Sequence, residues 1–141
     1  MQVESSPVTV WMATELLEQA LVNLLLNAIH ATPNGGTICC RIRHASSHIE
    51  IEVEDEGAGF DLSLEPRLRE PFFTTKSEGA GTGLGLSIVD GFMRGIGGHL
   101  RLANSEIGAV ATLEIPLSCV AKEFDDESKV QGGRRENIPG R

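Results

Sequence analysis

The sequence predicts an α/β protein built as a two-layer sandwich, in which about three helices cover one face of a mixed sheet of about five strands. Three patterns support this class. Residues 15–31 have helical periodicity, residues 49–54 alternate apolar and acidic side chains as a half-buried strand does, and glycine-containing turns separate the elements. The predicted order along the chain is strand, helix, hairpin, loop, helix, hairpin.

The first half of the chain contains one helix and one hairpin. A short strand-like piece at residues 8–11 precedes the helix at residues 15–31. The helix is ended by Pro33-Asn34-Gly35-Gly36. Residues 37–43 and 49–54 are predicted strands joined by a turn around residues 45–47, so we expect them to pair with each other.

The second half follows the same order after a glycine-containing turn at residues 55–60. Residues 61–82 are predicted to be mostly irregular, because they show no sustained period. The expected regular elements are a short helix near residues 64–68, a helix over residues 83–95, and a hairpin of residues 99–103 and 109–116.

Length and composition indicate one domain followed by a tail. The chain has 141 residues, of which 40% are hydrophobic and 23% charged, which is ordinary for a single soluble domain. We expect residues 1–120 to form this domain, with its motifs confined to residues 15–116. Residues 121–141 are polar, charged and without periodicity, so we expect a flexible linker or disordered tail.

Net charge and cysteine usage argue against several classes of function. The net charge of −8 disfavours non-specific binding to nucleic acid or to an anionic membrane. No apolar run reaches the roughly 18 residues of a membrane span. Cys39, Cys40 and Cys119 lack the spacing of a metal site, so reduced thiols in a cytoplasmic compartment are the simplest interpretation.

A stripe of polar residues runs along the first predicted helix. Gln19, Asn23, Asn27 and His30 fall at i, i+4, i+8 and i+11 and therefore share one face. Apolar residues flank the stripe on both sides: Leu17, Ala20, Leu21, Leu24, Leu25 and Ala28 on one, Val22, Leu26 and Ile29 on the other. Buried asparagines need partners. Either they cap neighbouring loops, or they form one wall of a cleft in which an amide oxygen could hold Mg²⁺.

The first glycine cluster, DEGAGF at residues 55–60, directly follows the alternating strand. Gly57 and Gly59 remove two side chains and allow a close approach to the backbone. The Asp55 carboxylate could accept a hydrogen bond from the amino group of a base such as adenine. An ordinary turn is the alternative interpretation.

The second glycine cluster, GAGTGLGLSIV at residues 79–89, opens a predicted helix. A glycine-rich turn at a helix N-terminus presents free N–H groups to an anion, most often a phosphate. The spacing is neither that of a Walker loop nor that of a dinucleotide fingerprint. A flexible hinge is the alternative.

Between the glycine clusters lies EPFFTTK, residues 70–76. Two consecutive phenylalanines would be costly to expose in a loop, so Phe72 and Phe73 are expected to anchor it on the core. Lys76 could reach a terminal phosphate as a point charge.

Together these four motifs resemble the ATP-binding catalytic domain of sensor histidine kinases, in the GHKL superfamily shared with gyrase and MutL-type ATPases. The resemblance covers about residues 15–116 and implies the Bergerat fold. The matching motifs are the N box (ELLEQALVNLLLNAIHA), the first glycine box (DEGAGF), the F box (EPFFTTK) and the second glycine box (GTGLGLSIV).

The resemblance implies ATP and Mg²⁺ as ligands and assigns roles to individual residues. Catalytic roles fall on Asn23, Asn27 and Lys76, and Asn27 would hold Mg²⁺. Residues 71–82 would form a lid over ATP. The implied nucleotide contacts are Asn23, Asn27, His30 and Ala31 of the N box; Asp55, Gly57, Gly59 and Phe60 of the first glycine box; Phe72, Thr74, Thr75 and Lys76 of the F box; and Gly81, Thr82, Gly83, Leu84, Gly85 and Leu86 of the second glycine box.

The implied reaction transfers the γ-phosphoryl group of ATP to a histidine on a separate helical dimerisation domain, which then serves a response regulator receiver domain. The family's phospho-acceptor motif is missing from these 141 residues, so we expect the acceptor on another domain or chain. From the charge, the lack of an apolar span and the cysteine usage, we expect no nucleic-acid partner, no membrane contact by this domain, and a cytoplasmic location, whether in a soluble protein or in a membrane-bound sensor.

The sequence departs from the family pattern at the root of the lid. Relatives usually have phenylalanine two residues before the F-box proline, whereas this chain has Arg69. The stretch between Lys76 and Gly81 is also short for a lid.

Two other functions compete with the kinase interpretation. A GHKL ATPase would hydrolyse ATP with a glutamate base four residues before the Mg²⁺ asparagine, but that position is Asn23 here, which cannot take a proton. A non-catalytic nucleotide- or partner-binding module is the other alternative. The intact Asn27, Asp55 and glycine boxes count against it.

Overall fold

The secondary structure follows the predicted order of helix, hairpin, helix and hairpin. The computed structural model describes residues 14–71, Phe73 and residues 85–119. The helices are α1 (Thr14–Ala31), α2 (Glu65–Leu68) and α3 (Gly85–Gly95), and the strands are β1 (Cys39–His44), β2 (His48–Glu54), β3 (His99–Asn104) and β4 (Ala109–Pro116). Short 3-10 turns span Leu62–Leu64 and Leu117–Cys119.

The described strands form one antiparallel sheet in the order β1-β2-β4-β3. Both predicted hairpins are therefore confirmed, but the mixed sheet of five strands is corrected to four antiparallel strands within the described part of the chain. The strand-like piece at residues 8–11 lies outside that part. Strands β2 and β3 do run in the same direction, because each is antiparallel to β4. They are not neighbours, since β4 lies between them, so no parallel pair forms.

Side chains on one face of the sheet pack against the helices. Ile49, Ile51 and Val53 alternate along β2 and are buried on this face, as the strand period requires. Their partners are buried residues of α1 (Ala20, Leu24, Ala28), α3 (Val89, Met93), β3 (Leu100, Leu102) and β4 (Ala111, Leu113, Ile115). Full burial of one large apolar side chain stabilises the fold by about 1.5–3 kcal/mol.

The start of β1 differs from the prediction, and a hydrogen bond explains the difference. The prediction began the strand at Thr37, whereas β1 begins at Cys39 opposite Glu54, the last residue of β2. The Thr37 backbone N–H donates instead to Glu56 Oε2 at 3.0 Å. The Glu56 side chain, within the first glycine cluster, thus fixes the loop that leads into β1.

Several predictions concern residues outside the described ones. These include the tail at residues 121–141 and the start of the predicted second helix at residues 83 and 84. Among the described residues, no helix combines the length and apolar character needed to span a membrane.

Candidate nucleotide site

The polar stripe of α1 contains an amide group that lacks a partner. Gln19 Nε2 donates a hydrogen bond to Asn23 Oδ1 at 3.0 Å, which fixes the orientation of the Asn23 amide. Among the described residues, Asn23 Nδ2 is buried and has no hydrogen-bond partner. An unsatisfied buried donor costs about 1–3 kcal/mol. This Nδ2 donor therefore fits a site for an acceptor group such as a phosphate oxygen.

Asn27 lies directly against the first residue of α3. A Cβ atom built on Gly85 would lie 3.3 Å from Asn27 Nδ2 and 3.4 Å from Asn27 Oδ1. A methyl group here would require Asn27 to shift by a few tenths of an ångström. The fold thus brings the N box and the second glycine box into contact.

Asp55 is a buried carboxylate held by backbone groups. Only 6% of its surface is exposed. Its Oδ1 accepts hydrogen bonds from Gly57 N at 2.8 Å and from Ala109 N at 3.2 Å. Its own N–H donates to Ala109 O at 3.0 Å. Both backbone N–H groups donate to Oδ1, which fixes the orientation of the carboxylate. Neither of them uses Oδ2.

The first glycine box packs against the end of α1. A Cβ on Gly57 would lie 2.8 Å from Ala31 O and 2.9 Å from Ala31 Cβ, closer than real Cβ atoms come. Gly59 has φ 84°, in the left-handed region that glycine adopts without strain. The motif is therefore a turn, as the simpler interpretation held, and also a close contact between the Asp55 turn and the N box.

Two residues of this site were missed by the sequence analysis. The Asn104 side chain accepts from Phe60 N at 2.7 Å and donates to Phe60 O at 2.8 Å, which clamps the first glycine box. Gly108 lies so close to Asp55 that a Cβ there would overlap the Asp55 carbonyl. Gly108 belongs to a predicted turn, but nothing local in the sequence indicates its contact with Asp55.

The remaining predicted site residues are only partly placed. His30 and Ala31 are exposed at the end of α1, and Phe60 and Leu86 are half-buried against the core. The following predicted contacts lie outside the described residues: Phe72, Thr74, Thr75, Lys76, Gly81, Thr82, Gly83 and Leu84.

A second cluster of possible cation ligands lies on the other face of the sheet. Ligand atoms of His48, Glu50 and Glu114 lie within 4.8 Å of one another. Arg101 already pairs with both carboxylates, at 3.4 Å from Glu50 and 2.9 Å from Glu114. The hydrogen bond from His48, together with Arg101, lowers the pKa of Glu50. Both carboxylates of this cluster are therefore already paired with an arginine of the protein, on the face of the sheet that is not packed against the helices.

Residues 12–118 match the family of "Histidine kinase-, DNA gyrase B-, and HSP90-like ATPase" domains. The chain belongs to this family.

Similar proteins narrow the family to one branch. The chain is 42% identical over 113 residues to the two-component sensor PprA of Pseudomonas aeruginosa, covering 75% of this chain and 12% of that protein. It is 38% identical over 121 residues to the sensor kinase CckA of Brucella abortus, covering 75% of this chain and 13% of that protein. The chain thus spans only a small part of these relatives.

Solved structures agree with this branch. The mycobacterial sensor histidine kinase MprB superposes with a TM-score of 0.74 at 28% identity, covering 82% of this chain and 79% of the other. Full-length ShkA, solved in complex with AMPPNP, superposes with a TM-score of 0.71 at 28% identity, covering 85% of this chain and 25% of the other. The chain is accordingly similar to the catalytic domains of sensor histidine kinases, as its four boxes predicted.

Proposed function

We propose that this domain binds ATP with Mg²⁺ and donates the γ-phosphoryl group to a histidine on a separate helical dimerisation domain, in a two-component signalling pathway of the cytoplasm. One observation gives the main support. Both glycine boxes contact the same stretch of α1, Gly85 at Asn27 and Gly57 at Ala31. These contacts are one helical turn apart, about 6 Å along the axis. A base and its phosphates would span such a distance.

The base would bind at Asp55. Its carboxylate accepts hydrogen bonds and donates none, so it selects a ring with an exocyclic amino group, as in adenine. The turn at Gly57 lies against Ala31, so no side chain from Gly57 intrudes between Asp55 and α1. The similar protein ShkA was solved in complex with AMPPNP, which supports an adenine nucleotide as the ligand of this domain.

The phosphates and Mg²⁺ would bind along the asparagine stripe. The unpartnered Asn23 Nδ2 would donate to a phosphate oxygen, and the amide oxygen of Asn27 would hold Mg²⁺, a hard cation that prefers oxygen ligands. When bound, Mg²⁺ would neutralise charge on the transferring phosphoryl group. Lys76 would assist from the F box as a point charge.

Asn23 also favours transfer over hydrolysis. A water nucleophile needs a base to take its proton, and an amide cannot serve as one. A histidine nitrogen attacks with its own lone pair and needs only to be positioned. This chemistry supports phosphorylation of a histidine-bearing helical partner, with a receiver domain as the later acceptor, over a GHKL ATPase activity.

Titration calorimetry with AMPPNP, with and without Mg²⁺, tests the proposal. We expect micromolar, Mg²⁺-dependent binding by the wild-type chain and loss of the Mg²⁺ dependence in Asn27→Ala. Supplying a helical acceptor domain from a similar kinase together with ATP should then give acid-labile phosphate on its histidine. Absence of nucleotide binding would favour a partner-binding module, and rapid hydrolysis by the chain alone would favour an ATPase.

A further inference from the structure

Arg69 occupies the position where the family resemblance leads one to expect phenylalanine. Its guanidinium is paired with two carboxylates, those of Glu65 and Asp90. The residue follows α2 directly and precedes the F box. Its side chain is 18% exposed, and Nη2 lies 2.6 Å from Glu65 Oε1 within its own segment. Nη1 lies 3.1 Å from Asp90 Oδ1 and donates to Leu100 O at 2.5 Å. The guanidinium therefore joins α2, α3 and β3 at one point.

Asp90 links this point to the candidate nucleotide site. It lies in α3, five residues after Gly85, or about 7.5 Å along the helix axis. Its side chain is 13% exposed, and its Oδ2 takes a second contact from Arg94 Nε at 3.0 Å. Because a helix moves as a unit over this length, the position of Asp90 sets the position of Gly85. Gly85 in turn lies against the Asn27 amide.

We propose that Arg69 is a positioning residue of the nucleotide site: through Asp90 it holds the start of α3, and therefore Gly85, against the Asn27 amide. The effect of this positioning on nucleotide binding rests on the proposed function, because Asn27 is the proposed Mg²⁺ ligand. The same contact joins the segment before the F box to the helix after the second glycine box. The planar fork of arginine can reach three acceptors at once, whereas a lysine ammonium is a point donor.

The first test is made on the nucleotide-free chain. The measured quantities are the NMR chemical shifts of the Gly85 backbone amide and the Asn27 side-chain amide. Arg69→Met keeps the aliphatic bulk and removes the charge, and Asp90→Ala removes its partner on α3. Both variants should shift both resonances. Arg94→Met, which removes the other contact of Asp90 at a side chain that is 74% exposed, should shift neither.

The second test measures AMPPNP affinity with and without Mg²⁺ in the same variants. We expect Arg69→Met and Asp90→Ala to reduce the Mg²⁺ dependence by about tenfold. Since the two residues act through one contact, the double variant should be no worse than either single variant. Arg69→Lys should restore part of the effect. If Arg69 only stabilised the fold, its substitution would lower Tm. The ratio of AMPPNP affinities with and without Mg²⁺ would then stay unchanged at a temperature where all variants are folded.

The outcomes separate the inference from the proposed function. Unchanged resonances and an unchanged Mg²⁺ ratio in folded Arg69→Met and Asp90→Ala overturn the inference while wild-type binding stands. If the wild-type chain shows no Mg²⁺-dependent binding, the proposed function fails, and the amide shifts still decide whether Arg69 positions Gly85. If Arg69→Met does not fold, Asp90→Ala and Arg69→Lys give the same comparison.

Discussion

Asp55 is a buried side chain that receives two hydrogen bonds from the backbone. A buried carboxylate without hydrogen bonds would be strongly disfavoured, but Gly57 N and Ala109 N both donate to Oδ1. One of these donors is local and the other comes from β4, next to β2 in the sheet. The carboxylate is thus held rigid before any ligand arrives, which reduces the cost of ordering it on binding.

Replacing Asp55 with asparagine tests its proposed role in recognising the base. The asparagine Oδ1 still accepts from both backbone N–H groups, so the fold should persist. Its NH₂ group cannot accept from an adenine amino group. We expect the loss of a charge-assisted hydrogen bond, about 1.5–3 kcal/mol, to weaken AMPPNP roughly ten- to hundredfold while inorganic triphosphate is little affected. Competition titrations measure both affinities.

Glu56→Gln is the matched control for Asp55→Asn. Glu56 is the adjacent carboxylate, but it is exposed and accepts from Thr37 N. This variant should bind AMPPNP as the wild type does. Equal weakening of AMPPNP and inorganic triphosphate by Asp55→Asn would show that Asp55 does not recognise the base.

At this scale the sequence predicted residue types within one short motif. Asp55 was predicted as an acceptor and Gly57 and Gly59 as small residues, but their distant contacts with Ala109, Ala31 and Asn104 were not predicted. Asn104 and Gly108 could not be predicted, because Asn104 contacts Phe60 44 residues away and Gly108 contacts Asp55 across the sheet. Such contacts depend on strand order, which local patterns do not determine.

At the scale of elements, the glycines of α3 differ in how much space surrounds them. Gly85 lies against Asn27, whereas a Cβ on Gly91 would meet nothing within 4 Å. Glycine inside a helix costs about 0.5–1 kcal/mol relative to alanine. This cost applies to Gly91, which lies inside the helix and for which the described residues offer no steric reason, whereas Gly85 is the first residue of α3 and lies against the N box.

A pair of alanine substitutions in α3 separates these two situations. Gly91→Ala should raise the free energy of unfolding by about 0.5–1 kcal/mol and leave AMPPNP binding unchanged. Gly85→Ala places a methyl group 3.3 Å from Asn27 Nδ2. It should weaken Mg²⁺-dependent binding by roughly tenfold, because small displacements of a positioning group are costly. Denaturant unfolding and calorimetry give the two readouts, and wild-type affinity in Gly85→Ala would contradict the contact.

The elements themselves were predictable because their periods are strong. The apolar face of α1 and the alternation of β2 appear in the structure as predicted, with Ala20, Leu24 and Ala28 buried. The sheet type was not predictable in the same way. Whether β2 pairs with β3 or with β4 decides between a mixed and an antiparallel sheet, and both choices fit the same alternating pattern.

At the scale of the whole molecule, the two faces of the sheet have separate chemistry. One face is covered by helices and leads to the candidate nucleotide site. The other bears ion pairs in which arginines alternate with glutamates across the strands, including Arg41 with Glu52 and Glu54 and Arg101 with Glu50 and Glu114. Some of the acidic side chains behind the net charge of −8 are thus paired with arginines on the face away from the helices. We call this network of ion pairs the lattice.

This lattice makes stability depend on acid pH. The hydrogen bond from His48, together with Arg101, lowers the pKa of Glu50, and Ser105 with Arg41 lowers that of Glu54, both below the ordinary value of 4.5. A lowered pKa in the folded state means that the contribution to stability is present above the unfolded pKa. It is lost as pH falls through the folded pKa. The free energy of unfolding should therefore decrease below pH 4.5.

Glu50→Gln isolates the contribution of one carboxylate to this acid response. At pH 7 the variant should be less stable than the wild type by about 0.5 kcal/mol, the scale of a partly exposed ion pair. The difference should disappear as pH falls below 4.5, because Glu50 itself becomes neutral in the wild type. Urea unfolding at several pH values measures this. Glu106→Gln, at an exposed carboxylate in the turn between β3 and β4, is the control and should leave the free energy of unfolding at pH 7 unchanged. Parallel profiles for wild type and Glu50→Gln down to pH 3 would mean that the lattice does not contribute through Glu50.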